Sequence, residues 1–262
     1  MASVSDDGDT EILFRSARPP DRTEVTGPAQ TDVYDVWEPA ADRGRGITVA
    51  LVHGGFWREE YDRAHLAPLA EALARDGFHV ANLEYPRTGM PGGGWPGTGE
   101  HVLDRLESVH ADTKLPDRVV VVGHSAGGHL ALWVASGDRA PWVTGVVALA
   151  PAADLAEVDR LGLGDDAARA LLGGTPDEVP HAWADADPAR QHLTVPAVIV
   201  TGELDDVVPA GVTQAYVASR APGEPLRTAV ARQAGHFDVI DPASPAYLLV
   251  LAEVEELTLT TH

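Results

Sequence analysis

Four consecutive valines, Val119 to Val122, run directly into Gly123-His124-Ser125-Ala126-Gly127-Gly128. No other stretch constrains the fold so tightly. An unbroken β-branched run reads as a strand buried on both faces, the position of a central strand in a parallel sheet. Leu130, Ala131 and Val134 then recur at helical spacing, so the strand must turn sharply into a helix at Ser125. Glycines at 123 and 127 remove side chains where the two backbones crowd together, and the strained elbow lifts the Ser125 hydroxyl above the sheet edge as a nucleophile. The N–H of Ala126, at the helix N-terminus, then points at an oxygen on the attacked carbon. A Gly-x-Ser-x-Gly pentapeptide alone is common in ordinary loops. Strand before and helix after are what separate this one from them.

The surrounding chain repeats that alternation. Apolar runs at Ile47–Val52, Phe78–Leu83, Val119–Val122, Val143–Ala150, Ala197–Thr201 and Leu226–Val230 read as strands. Amphipathic patterns around Leu66 to Leu73, Val102 to Val109, from Ser125, over Val212–Ser219 and over Pro245–Glu256 read as helices. The series predicts an α/β fold: a mostly parallel, twisted sheet of about eight strands with helices on both faces. Glu11–Arg15 and Val33–Trp37 are expected as short antiparallel edge strands. There is no internal repeat and no low-complexity tract.

Two segments break the rhythm. Arg87–Gly99 holds six glycines and two prolines around Trp95, which suits a long shaped loop. Asp154–Leu193 inserts roughly forty residues between two strands, the size of a small lid, although a purely structural insertion is tolerated as easily. Within it, Ala167–Leu172 reads as a short helix, and Thr175-Pro176-Asp177-Glu178 as the capped start of another.

Composition narrows the function classes. With 262 residues and no linker-like shift in composition, the chain is expected to form a single domain, residues 1–262, with the polar Met1–Thr10 disordered. It shows neither a leader-like apolar segment nor a run long enough to span a membrane, so a cytoplasmic location is expected. The absence of cysteine removes disulfides, thiolate metal sites and a cysteine nucleophile. A formal charge of −21 disfavours nucleic acid and anionic membranes. The remaining partners are a small-molecule ester or amide and, as the one assembly left open, a second copy in a homodimer. No His-x-x-x-His, His-Glu-x-x-His, P-loop or dinucleotide fingerprint is present, so neither metal nor cofactor is expected.

A serine hydroxyl needs a base, and the base an orienting acid. Gly202-Glu203-Leu204-Asp205-Asp206 follows a strand and offers Asp205, with Asp206 second; Gln233-Ala234-Gly235-His236-Phe237 follows the last strand and offers His236. An acidic pair alone is usually a turn or helix cap, and His236 is one of eleven histidines. The order serine, aspartate, histidine at three strand ends is what this elbow requires. After the strand ending at Val52 comes His53-Gly54-Gly55-Phe56-Trp57, where glycines allow close backbone approach. The N–H of Phe56, or of Gly55, is expected to join that of Ala126 in an oxyanion hole, with His53 bracing the loop. Phe56, Trp57, Trp95 and His124 are candidates to line a substrate pocket, with core packing the alternative for the aromatic side chains.

Taken together, His53-Gly54-Gly55-Phe56-Trp57, Gly123-His124-Ser125-Ala126-Gly127-Gly128, Gly202-x-x-Asp205-x-x-Val208-Pro209 and Gly235-His236-Phe237 resemble the α/β-hydrolase family over residues 31–258. The His-Gly-Gly-aromatic-Trp motif is similar to that of the branch holding kynurenine formamidases and small bacterial esterases. The resemblance implies an α/β-hydrolase fold, a triad of Ser125, Asp205 and His236, and an oxyanion surrounded by Gly55, Phe56 and Ala126. It further implies a serine hydrolase that cleaves a small carboxylic ester or an arylformamide through an acyl-enzyme. Acyl transfer, or ligand binding without turnover, are the alternatives on the same fold.

Overall fold

The computed structural model describes residues 11–259; the Met1–Thr10 expectation therefore lies outside the described residues. A 3-10 turn, Glu11–Phe14, leads to β1 (Arg22–Val25) and β2 (Val33–Trp37). Then come β3 (Thr48–Val52), α1 (Ala67–Arg75), β4 (His79–Leu83), α2 (Gly97–His110), β5 (Val119–His124), α3 (Ala126–Val134) and β6 (Val143–Leu149). An inserted group of helices, α4 (Leu155–Arg160), α5 (Leu163–Leu172) and α6 (Pro180–Ala186), precedes β7 (Ala197–Gly202), α7 (Ala210–Ala218), β8 (Leu226–Ala231) and α8 (Ala246–Leu259).

The strands form one eight-stranded sheet in the order β1-β2-β4-β3-β5-β6-β7-β8. Pairing is antiparallel from β1 to β2 and β2 to β4, and parallel elsewhere. The chain leaves β3 in one direction for β4 and returns on its other side as β5. The strand order thus reverses between β3 and β5, and beyond their carboxyl ends a crevice opens. The valine run explains itself in this position: Val119 and Val121 face one core cluster, Val120 and Val122 the other.

Three local expectations need correction. Glu11–Arg15 is not an edge strand. Three contiguous apolar residues would load both faces of a strand at the sheet's rim; instead the segment turns, burying Ile12 while Phe14 is 85% exposed. The outer strand is the polar Arg22–Val25, paired through Arg22 with Val36 and Val25 with Val33. The Arg87–Gly99 loop ends early, because α2 starts at Gly97, with Thr98 Oγ1 donating to Pro86 O at 2.8 Å. Thr175–Glu178 does form the capping contact, the Thr175 N–H donating to the Glu178 carboxylate at 2.9 Å, but it makes only a turn. Pro180 forces Val179 out of the helical region (φ −131°, ψ 57°) and the helix begins anew at Pro180.

Candidate active site

Ser125 sits between β5 and α3 with φ 54° and ψ −116°, outside the regions open to an unstrained side chain. Such a backbone costs about 1–3 kcal/mol and persists only where its surroundings over-determine it. Here they do. Ser125 N–H donates to Leu149 O at 2.8 Å, and Ser125 O accepts from His129 N–H and Ala152 N–H at 3.1 Å each. Close approach at the elbow admits no side chain at 127, since a Cβ there would lie 2.1 Å from Val52 O. As the first residue of α3, Ala126 carries an N–H that has no intrahelical acceptor.

His236 and Asp205 meet beside this elbow. His236 Nδ1–H donates to Asp205 Oδ2 at 2.8 Å, and both side chains are buried. Asp205 Oδ1 accepts the N–H groups of Val207 and Val208 at 3.0 and 2.8 Å. Asp206 is exposed. With Nδ1 engaged, His236 keeps Nε2 as its lone-pair nitrogen. His124, next to the serine in sequence, fixes the histidine from behind: its Nε2–H donates to His236 O at 3.0 Å, and the two rings lie 4.7 Å apart.

A cavity of about 150 Å³ opens over these groups. Ser125, His236, His124, Gly55 and Phe56, all anticipated from sequence, line it. So do Leu13, Tyr61, His65, Val207 and Phe237, which sequence reasoning missed. Val207 and Phe237 adjoin the acid and the base in their motifs and could have been found by adjacency; Leu13, Tyr61 and His65 carry no local signal. Trp57 and Trp95 are placed elsewhere. Trp57 is fully buried in the core, edge-on to His129 at 5.2 Å. Trp95 packs against Trp133 and donates its indole N–H to Asp185 at 2.8 Å. Both pack as aromatics, in two different loops, and neither lines the cavity. Burial, helped by neighbouring imidazoles, keeps two of the cavity histidines neutral: His65 is pushed down to about 3 and His124 well below its ordinary value.

The loop after β3 takes a left-handed path, with φ of 105° at Gly55, 49° at Phe56 and 56° at Trp57. Successive N–H groups in such a turn form a concavity suited to an anion. His53 braces it as expected. Its ring bridges Gly54 O (Nδ1, 2.8 Å) and the Glu84 carboxylate (Nε2, 3.0 Å) and stacks on Tyr85 at 4.2 Å, whose hydroxyl donates to His53 O at 2.7 Å. Glu84 also takes Arg87 and Tyr85 N–H, and Arg63 reaches from it to Asp35. Burial would raise the Glu84 carboxyl, but His53 and Arg87 outweigh it and hold it down at about 2.

Among the described residues, no group of three or more His, Asp or Glu could hold a metal ion, and no helix is long and apolar enough to cross a membrane. The insertion meets the cavity wall through Gly164, whose backbone lies against the Phe56 ring and whose carbonyl accepts from Arg58. None of its residues lines the cavity among those described.

The profile of the BD-FAE family matches residues 34–218, well over half of the chain. The chain belongs to the BD-FAE family. No curated protein matches it. This BD-FAE protein is similar in structure to a truncated carbohydrate esterase from gut microbiota, with a TM-score of 0.75 at 16% identity over 92% of this chain and 99% of that one. It is similar to esterase B from Lactobacillus rhamnosis, at TM-score 0.73 and 20% identity over 96% and 90%. A third likeness, at TM-score 0.68 and 18% identity over 91% and 94%, is to Thermogutta terrifontis esterase 2 phosphonylated by sarin. These likenesses show the α/β-hydrolase fold.

Proposed function

We propose that this BD-FAE protein is a serine hydrolase that cleaves small carboxylic esters through an acyl-enzyme. One observation carries the reading: a serine on a strained elbow shares a cavity with His236, whose other nitrogen is 2.8 Å from Asp205. Ser125 Oγ attacks the carbonyl carbon as His236 Nε2 takes its proton. The carbonyl electron pair moves to oxygen, held by the N–H groups of Ala126 and Phe56, with Gly55 shaping the turn. Asp205 orients the imidazole and stabilises its charged form. Collapse breaks the bond to the leaving group, which departs with the proton from His236. Water, deprotonated by the same nitrogen, then releases the acid. The solved relatives named as esterases, one of them phosphonylated, are consistent with this chemistry.

The cavity volume sets the scale of the substrate. About 150 Å³ matches a cavity that admits a single benzene ring. Three aromatic walls, Phe56, Tyr61 and Phe237, together with the His-Gly-Gly-aromatic-Trp loop, favour an arylformamide as the second substrate class. A fluorophosphonate probe tests the core assignment: it is expected to label the wild type and not Ser125→Ala, which also loses turnover by ~10⁴–10⁶-fold. Equal labelling of both removes Ser125 from the mechanism. Rates on p-nitrophenyl acetate and butyrate set beside N-formylkynurenine separate the two classes, and brisk formamide cleavage with slow ester cleavage would reverse their order.

A further inference from the structure

We propose that Leu13 limits the length of the substrate group that enters the cavity beside Ser125, and that the Arg15–Asp241 ion pair holds it in place. The inference rests on the hydrolase reading above. Most of the cavity is built by loops at the carboxyl ends of β3, β5, β7 and β8, which also carry Ser125, Asp205 and His236. Leu13 comes instead from the N-terminal turn, outside the alternating series. Its size is therefore free of the geometry of the reacting groups.

The turn is anchored on both sides of Leu13. Before it, Ile12 is 3% exposed and belongs to the core cluster containing Leu66, Val239 and Ile240. After it, Arg15 pairs with Asp241, Arg18 N–H donates to Glu71 at 3.0 Å, and Trp37 donates its indole N–H to Arg18 O at 3.2 Å. Asp241 follows the turn Asp238–Ile240, so the latch joins the arm to the segment that carries His236 and Phe237. Phe14, adjacent to Leu13, is 85% exposed. His65 and His124, which line the cavity together with Leu13, are held neutral by burial, so the group admitted against Leu13 is uncharged, apolar and short.

The test uses the full chain and two matched ester series, one lengthening the acyl group and one the alcohol, with fluorophosphonate labelling to count competent sites. In one of the two series, Leu13→Ala is expected to move the optimum to longer chains. The ratio of kcat/KM for a long ester over a short one should rise about tenfold or more, the scale of a methylene or two in an apolar pocket. Leu13→Trp should move it the other way. Arg15→Ala should shift it in the same direction as Leu13→Ala, which keeps the test open should the latter unfold. Phe14→Ala should leave the profile unchanged. Variants that label fully yet retain the wild-type profile in both series overturn the role of Leu13 alone. A wild type that neither labels nor cleaves any ester overturns the hydrolase reading and this inference with it.

Discussion

The two halves of the cavity around Ser125 are held by different physics. After β7 and β8, Asp205 and His236 are fixed by a few hydrogen bonds with uncharged backbone and imidazole groups: one carboxylate oxygen for the Val207 and Val208 N–H groups, the other for the His236 imidazole, and the His236 carbonyl for the His124 ring. After β3, the His53–Trp57 loop rests on a buried charged cluster of Glu84, Arg87 and Arg63 with the His53 ring among them. A pair of hydrogen bonds to backbone tolerates an isosteric swap. A buried ionic cluster does not, because removing one member strands the others in a poor solvent for charge. The first half should therefore fail in chemistry while staying folded, and the second should fail in both.

The largest effect tests the first half. Asp205→Asn retains an oxygen for the backbone donors and loses the charge that orients His236, so kcat should fall by ~10⁴-fold with the melting temperature nearly unchanged. Asp206→Asn, at the exposed neighbour, should stay near wild type; a loss of rate at 206 without one at 205 would erase the distinction. Glu84→Gln tests the second half. It should destabilise the fold by about 3–5 kcal/mol in urea titration and lower kcat by ~10²–10³-fold at temperatures where the variant is folded. Full activity in the folded variant would show that the loop holds its course without the cluster.

Acid should act on the loop half through His65, which stands edge-on to His53 at 5.8 Å. Its folded value of about 3 lies below the usual 6.5, first through burial and then through His53. Between those values the unfolded chain binds more protons, so stability is full above 6.5 and declines as the pH falls below it. His65→Gln should flatten that decline by up to about 1.4 kcal/mol per pH unit, measured by melting temperature against pH. Glu84 adds a further loss as the pH falls from 4.5 toward about 2.

The smallest effect belongs outside both halves. Asp187, where the insertion rejoins the core, is raised to about 6 by burial and by Asp154. Here the folded state binds the proton more tightly than the unfolded one, so stability falls as the pH rises from 3.8 through 6. Asp187→Asn keeps an acceptor for the Leu155 and Ala189 N–H groups and removes the buried charge. A gain of about 1 kcal/mol at pH 8 with unchanged kcat is expected; loss of activity would tie the insertion to the cavity more closely than Gly164 does.

The same contrast governs how much could be read from the sequence. The central strands, the elbow and the Asp205 and His236 loops were legible because each is specified by residues within a few positions of one another. Strand Val119–His124 needs only its own valines, and Asp205 finds its backbone donors two and three residues on. Glu84 and Arg63 were not legible as supports for His53, which lies in another loop. Nor was Leu13, because Glu11–Phe14 has the composition of a strand and only its packing on Leu66 and the Asp241 segment makes it a wall. The role of the forty-residue insertion was not legible either, since its length suits a lid and a structural insertion alike; none of its described residues lines the cavity.

The bonds around Ser125 carry a kinetic consequence. Its N–H and carbonyl are tied to Leu149, at the end of β6, and to Ala152 just beyond, not only to its own helix. An isolated strand-turn-helix from β5 and α3 would relax the unfavourable φ, because nothing in that fragment opposes relaxation. The reactive geometry thus comes into being when β6 docks on β5. Serine reactivity during refolding becomes a clock for that docking: a fast phosphonate pulse should capture no Ser125 until the centre of the sheet has assembled, however early the helix itself appears.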